Sequence, residues 1–243
     1  MHKRGWLEYL LDGDLVFSPG ELHSVLRTVI DCDPGKPKGD KLFHLRKSFS
    51  FTMTPDKIPY RTEEALERLI VVSNGDNFYN QIPIGGGKES IDIGVKESES
   101  EFTFIELKPW GNQNSPLYAL VESLKNLLEY RIILERNLAN VPRFSDVNLL
   151  ILAPFQYYER HCLVTDSKIA TLQRTVSLLS EEFETRISFM ALDIEMESFL
   201  DACRSIYERL VLRGQVVVDI SNEDPVQDLV RTNWRLVTHS YAW

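Results

Sequence analysis

Three charged side chains lie on two short apolar segments near the middle of the chain. Asp92 lies in the first segment, Ser90–Lys96, and Glu106 and Lys108 lie in the second, Glu101–Lys108. Alternate residues of a strand share one face, so Glu106 and Lys108 are expected to point the same way. Carboxylate oxygens are ligands that suit Mg²⁺. These three residues are therefore the candidates for metal-dependent chemistry.

The pairing of the two segments decides whether these side chains meet. A polar turn separates them, and together they are typical of an antiparallel hairpin. A turn centred on Glu99 places Asp92 directly opposite Glu106, whereas a shift of one residue would move this pairing. Opposed side chains have Cβ atoms about 4.5–5.5 Å apart, and like charges at that distance destabilise the pair. A bound divalent cation would offset this repulsion.

This arrangement resembles the PD-(D/E)xK class of phosphodiesterases. Asp92 stands in Ser-Ile-Asp-Ile-Gly, and Glu106 and Lys108 stand in Phe-Ile-Glu-Leu-Lys; Ile91 precedes the aspartate where the class often has proline. In the class, the aspartate and glutamate bind metal, and the lysine orients the attacking water or stabilises charge at the phosphate. The resemblance implies that Asp92 and Glu106 bind Mg²⁺ or Mn²⁺ and that Lys108 has the lysine role.

Further positions match the class more loosely. An acidic residue of the first helix often belongs to such sites, and Glu63 is the candidate here, with Glu67 one turn later. The alternative is that these carboxylates only complement the helix dipole. Asn126 and Tyr130 match an auxiliary pair in the second helix, although glutamine would match the first position better. The alternative for this pair is the edge of an amphipathic helix.

The surrounding elements predict an α/β fold with a mixed, α+β-like sheet. Thr62 is expected to cap a short helix, and Ser115 with Pro116 to begin a long one. A buried strand is expected at Val147–Ala153. The order of helix, strand meander, helix and strand is that of the restriction-endonuclease-like core, which the resemblance implies.

The ends of the chain are expected to be additions to this core. Residues 1–55 are predicted to be an N-terminal extension and residues 56–243 the nuclease-like domain, with one single domain, 1–243, as the alternative. Outside the core, the patterns predict these elements: a helix after Ser18-Pro19, a strand within 41–53, a helix at 167–185, a strand at 186–194, a helix at 195–213, a strand at Val216–Ile220 and a terminal helix from Asp224.

The charge of the chain is unevenly distributed. The net charge of −9 argues against nucleic-acid binding by the whole surface. Between Lys36 and Arg61, however, seven Lys and Arg residues stand against two acidic residues, with aromatic residues among them. This strip is compatible with nucleic-acid contacts, for which Lys41, Arg46 and Lys47 are the candidates. A solvated edge strand is the alternative.

Composition excludes several other classes of protein. No apolar run approaches the roughly 18 residues of a transmembrane helix, and the first residues do not resemble a secretory signal. The three cysteines are far apart, and the five histidines lack the spacing of a zinc site. We therefore expect a cytoplasmic protein without a membrane partner.

The leading hypothesis is a metal-dependent nuclease that hydrolyses phosphodiester bonds in DNA. The alternative is a catalytically inactive nuclease-fold module that binds nucleic acid or protein in a bacterial or phage defence or repair system. A homodimer or a protein partner bound through the C-terminal region, 167–243, is compatible with either hypothesis.

Overall fold

A six-stranded mixed sheet lies at the centre of the fold. The structure, a computed structural model, describes residues 18–31, 43–84, 90–136, 141–161, 166–209, 216–221 and 234–239. In chain order the described elements are α1 (Pro19–Asp31), β1 (Ser50–Met53), α2 (Thr62–Asn74), β2 (Phe78–Pro83), β3 (Ser90–Lys96), β4 (Glu101–Leu107), α3 (Pro116–Glu135), β5 (Asp146–Pro154), α4 (Phe155–Arg160), α5 (Asp166–Glu182), β6 (Ile187–Leu192), α6 (Met196–Arg209), β7 (Val216–Asp219) and β8 (Trp234–His239).

The strand order of the main sheet is β2-β3-β4-β5-β6-β8. The first three strands form an antiparallel meander, β4, β5 and β6 are parallel neighbours, and β8 returns antiparallel to β6. Parallel neighbours need long crossover connections, which α3 supplies between β4 and β5 and α5 between β5 and β6. Strands β1 and β7 form a separate antiparallel pair. The mixed α/β class predicted from the sequence is confirmed.

Two hydrophobic clusters form the core. The first contains buried residues of α1, α3 and α5, and the second contains buried residues of β1, α2 and α6. Strand β5 contributes to both, because Leu149 and Ile151 belong to the first cluster and Leu150 and Leu152 to the second. Burial of both faces explains why this strand is a continuous apolar run.

The central predictions of secondary structure are confirmed. The hairpin is antiparallel, with Ile93 paired with Ile105 and Val95 with Thr103, which is the expected register. The oxygen Oγ of Ser115 accepts a hydrogen bond of 3.2 Å from the N–H of Tyr118 at the start of α3. The helix expected after Ser18-Pro19 is α1.

Two predictions at helix and strand ends are wrong. Thr62 is the first residue of α2, and Arg61 stands at the N-cap without a side-chain hydrogen bond. Of the strand expected within 41–53, only β1 forms among the described residues. The preceding segment instead bonds to Asn80 of β2, whose amide side chain accepts from the N–H of Ser48 at 2.8 Å and donates to its carbonyl at 2.9 Å.

The C-terminal region also departs from expectation. Residues 224–233 lie outside the described part of the chain, and residues 234–239, expected to be helical, form β8 against β6. The sequence analysis also missed β2 and α4. Helix α1 packs on α3 and α5, but the boundary proposed at residue 55 stays a prediction. Among the described helices, none combines the length and apolar character needed to cross a membrane.

Gly94 of β3 lies where the sheet has no room for a side chain. A Cβ atom there would overlap the side chains of Ile82 and Phe102. We predict that Gly94→Ala destabilises the protein by about 1–3 kcal/mol, the usual cost of overpacking a core. Thermal unfolding monitored by circular dichroism measures this loss.

Gly111→Ala is the matched control for this substitution. No heavy atom lies within 4 Å of the position that its Cβ would occupy, so its melting temperature should stay close to that of wild type. Equal melting temperatures for both variants and wild type would contradict the packing described around Gly94.

Candidate active site

The hairpin brings Asp92 and Glu106 together. The observed register pairs Ile93 with Ile105, and its next step places Asp92 opposite Glu106. The N–H of Leu107 donates a hydrogen bond of 2.9 Å to Oδ2 of Asp92, which fixes this carboxyl group against β4. The negative charge of Asp92 also acts on Glu106. The two carboxyl groups are therefore close enough for their charges to interact.

Lys108 lies directly after β4, between two carboxylates. Its Nζ donates to Oε1 of Glu106 at 2.6 Å and to Oε2 of Glu122 at 2.9 Å. Its own N–H donates to the carbonyl oxygen of Leu152 at 2.9 Å, which extends the pairing of β4 with β5 by one residue. Only 6% of Lys108 is exposed. The ammonium group is thus held in one place at the edge of the core.

Glu122 was missed by the sequence analysis. It lies in the second turn of α3, between the buried residues Val121 and Ser123, and its side chain is about one-third exposed. The signal in the sequence is its distance from the cap at Ser115, which places it about two turns after the cap. Whether that position faces β4 depends on how α3 is rotated against the sheet.

Helix α2 adds two more carboxylates. Glu67 is 2% exposed, pairs with Arg68 and accepts a hydrogen bond from Nε2 of Gln81. Glu63 is near enough to Lys108 and Glu122 for their charges to act on it. The acidic helix residues named from the sequence therefore both lie toward the site.

The site holds an excess of carboxyl groups. Burial raises the pKa of Asp92 to about 8; Lys108 opposes this rise, whereas Glu67 and Glu63 add to it. Burial and the charge of Asp92 raise the pKa of Glu106 well above its ordinary value. Burial also raises the pKa of Glu67 to about 8, against the lowering effect of Arg68. Burial and mutual repulsion thus favour the protonated forms of these groups.

Lys108 remains charged in this environment. Burial acts to lower the pKa of its ammonium group, but the carboxylates of Glu106, Glu122 and Asp92 raise it well above its ordinary value. The residue is consequently a fixed positive charge. It cannot serve as a proton acceptor near neutral pH.

A cleft of about 470 Å³ opens beside these residues. Its lining comes mainly from the start of α2, with Gln81 and Pro109 on the other side; we call it the acidic cleft. The ladder between β2 and β3 omits Gln81, which has a φ of 50°. This left-handed conformation is uncommon for a residue other than glycine. The lining residues are Arg61, Thr62, Glu63, Glu64, Glu67, Arg68, Gln81 and Pro109.

Two carboxylate groups are available as metal ligands. In the part of the chain that the structure describes, no three His, Cys, Asp or Glu side chains form a group that could hold a metal ion. However, Oδ1 of Asp92 and Oε2 of Glu106 accept no hydrogen bond from the described residues. Mg²⁺ is usually bound through one or two carboxylates and keeps several waters. Asp92 and Glu106 fit such an ion.

Comparison of the chain with models of protein families, with curated proteins and with solved structures finds no match. The resemblance to the PD-(D/E)xK class therefore depends on the residues and geometry described above.

The two residues of the expected auxiliary pair, Asn126 and Tyr130, are both buried in α3. The hydroxyl group of Tyr130 donates to the carbonyl of Pro142 at 2.8 Å and accepts from the N–H of Phe144 at 2.9 Å. Its ring packs against Phe43 and Phe104. Tyr130 thus holds the chain before β5 in place, and an auxiliary role for it at the site stays a prediction. Asn126 is buried one turn after Glu122.

The basic residues predicted to contact nucleic acid differ in whether their side chains already have partners within the protein. Lys41 lies outside the described residues. Lys47 places its Nζ 3.4 Å from Oδ1 of Asp76 and 5.4 Å from the centre of the Tyr79 ring, so its charge is partly used. Arg46 is exposed and forms no ion pair within the described part of the chain. Their binding role stays a prediction.

The raised pKa of Asp92 makes stability depend on pH. Because the folded protein holds this proton more tightly than the unfolded chain, its contribution to stability is present below about pH 4 and is lost as pH rises to about 8. Asparagine mimics the protonated group. We predict that, without metal, Asp92→Asn changes stability little at pH 5 but raises it by about 2 kcal/mol at pH 9, which is roughly 4–8 °C in Tm.

Thermal denaturation in EDTA across this pH range measures the effect. Asp193→Asn removes an exposed carboxylate and is the control, expected to follow wild type at every pH. A melting temperature of Asp92→Asn that stays below wild type at pH 9 would contradict the charge excess described for the site.

Proposed function

We propose that this chain is a metal-dependent nuclease with a restriction-endonuclease-like core and DNA as its substrate. The observation that carries the proposal is the pairing of β3 with β4, whose register, continued by one residue, sets Asp92 opposite Glu106, and Lys108 bonds to Glu106. The order of α2, the meander β2-β3-β4, α3 and β5 supports the same core.

In this proposal, Asp92 and Glu106 bind the cation. A bound Mg²⁺ or Mn²⁺ would polarise the scissile phosphate and lower the pKa of the attacking water. The charges of Glu63 and Glu67 act on Asp92, and that of Glu122 acts on Glu106. A phosphodiester is itself an anion, so this cleft repels it until cations balance the carboxylates. Substrate binding should therefore depend on divalent metal.

Lys108 stabilises charge at the phosphate. Its ammonium group is already oriented by Glu106 and Glu122, so little reorganisation is needed when negative charge develops on the phosphate. Fixed charges of this kind commonly contribute on the order of 10²–10³-fold in rate. Because the ammonium stays protonated, activation of water falls to the metal and not to Lys108.

A second candidate is the inactive nuclease-fold module. Lys108 occupies one oxygen of Glu106, and the described residues contain no group of three metal-binding side chains. The ion pairs of Lys108 with Glu106 and Glu122 need no metal. A binding module could therefore keep them without catalysis. This candidate predicts nucleic-acid or protein binding that is indifferent to divalent cations.

The decisive measurement is cleavage of single- and double-stranded DNA and RNA in Mg²⁺, Mn²⁺ or EDTA. We predict cleavage by the wild-type protein in Mg²⁺ or Mn²⁺, with none in EDTA. Asp92→Asn and Glu106→Gln should lose cleavage, because each removes a ligand. Glu181→Gln, an exposed site on α5, is the matched control and should cleave like wild type.

Metal binding is measured separately by calorimetry with Mn²⁺. Lys108→Met retains most of the side-chain length, so it should still bind Mn²⁺ but cleave on the order of 10²–10³-fold more slowly. Absence of both Mn²⁺ binding and cleavage in the wild type would refute the nuclease and favour the inactive module.

The raised carboxyl pKa values predict that metal binding is coupled to proton release. Mn²⁺ must displace the protons held by Asp92 and Glu106, so its affinity should rise steadily between pH 6 and pH 8. Isothermal titration at several pH values measures this slope. An affinity independent of pH across this interval would show that these two groups are not the ligands.

A further inference from the structure

An exposed aromatic and basic segment borders the acidic cleft. Tyr60 is 49% exposed, one of four large hydrophobic side chains so exposed among the described residues. Arg61 is exposed and lines the cleft. Nζ of Lys57 lies 5.3 Å from the centre of the Tyr60 ring. We call Lys57, Tyr60 and Arg61 the lip.

The backbone of the lip is held in place on both sides. Thr54 and Lys57 exchange two backbone hydrogen bonds of 2.9 and 3.1 Å, and the N–H of Tyr60 donates to the carbonyl of Thr52 in β1 at 2.9 Å. The carbonyl of Arg61 accepts from the N–H of Ala65 at 3.1 Å, at the start of α2. The exposed side chains are therefore presented from a fixed position at the mouth of the cleft.

The charges of the lip contrast with that of a neighbouring arginine. Neither Lys57 nor Arg61 forms an ion pair with any residue that the structure describes. Arg68, deeper in the cleft, contrasts with them because it pairs with Glu64 and Glu67 and donates to the carbonyl of Ser50. Two cations without an ion-pair partner in the described ranges, beside an exposed ring, form a surface that suits an anionic chain with flat, stackable groups.

We infer that the lip binds single-stranded nucleic acid, with one base stacked on Tyr60 and adjacent phosphates at Lys57 and Arg61. This inference rests on the proposed function and narrows its substrate to strands with an accessible base. Every base has a face that can stack on an aromatic ring, and such contacts carry much of the binding of single strands. Paired bases are stacked inside a duplex and cannot reach the ring without leaving it.

Fluorescence anisotropy with labelled oligothymidylate, its duplex with oligoadenylate, and oligouridylate tests this inference. Binding is measured in Ca²⁺, and gels check that the strands stay intact. Tyr60→Ala should weaken binding of either single strand by roughly 5- to 100-fold, while Tyr60→Phe stays near wild type. Arg61→Ala should lower the dependence of log affinity on log salt by about 0.7, the value for one lost phosphate contact.

Arg174→Ala is the matched control for Arg61→Ala. Arg174 is exposed on α5, whose buried residues belong to the first core cluster, whereas α2 belongs to the second. The control should leave both affinity and salt dependence unchanged. Duplex binding should respond little to Tyr60→Ala.

Two results would overturn the inference: single strands bound no more tightly than the duplex, or unchanged single-strand affinity in Tyr60→Ala. The failures of the two proposals are distinguishable. If the wild-type protein cleaves and Tyr60→Ala cleaves and binds like it, single-strand binding by the lip is refuted and the nuclease proposal is supported. If single-strand binding depends on Tyr60 but no metal supports cleavage, the lip stands as the surface of a binding module.

Discussion

The register between β3 and β4 is the constraint on which the site and the core both depend. A slip of one residue would turn Asp92 to the other face of the sheet and expose Ile93 in its place. Gly94 favours the observed register, because Phe102 and Ile82 pack into the space that a side chain would fill. The N–H of Leu107 supports it from the other side by bonding to Asp92. One hairpin therefore determines both the packing and the chemistry.

The acidic cleft costs stability that the rest of the fold must offset. A buried carboxylate loses its hydration, which costs free energy. That cost is reduced when the group has hydrogen-bond or ion-pair partners, or when it takes up a proton. Lys108 and Arg68 are the buried cations of the site, and each is paired with two carboxylates. The two hydrophobic clusters, which enclose the sheet on both faces, supply the compensating burial of apolar surface. Repulsion among its carboxylates thus destabilises the site, whereas packing of the two clusters stabilises the elements that carry it.

Local patterns were sufficient for the elements that carry Asp92, Glu106 and Lys108, since strand alternation, the Ser115 cap and the apolar run of β5 are local signals. Strand β2 escaped prediction because Asn80 and Gln81 interrupt its pattern. Those side chains are satisfied by distant groups, the backbone of Ser48 and the carboxylate of Glu67.

Other features could not be read from local sequence because they arise from tertiary packing. Glu122 reaches Lys108 only through the rotation of α3 against the sheet. Strand β8 is defined by its pairing with β6, which lies more than forty residues earlier in the chain. The hydroxyl group of Tyr130 is taken by the segment before β5, and spacing along a helix does not reveal such a partner.

The unbalanced charge of the acidic cleft also governs how this sequence would change under selection. Natural proteins lie only slightly above the stability that they need, and stabilising substitutions are often neutral or costly for function. Replacing a carboxylate of the cleft by an amide removes a repulsion and needs no repacking. A lineage selected only for heat resistance would therefore lose its acidic cleft early, and one that must keep a cation in it would not.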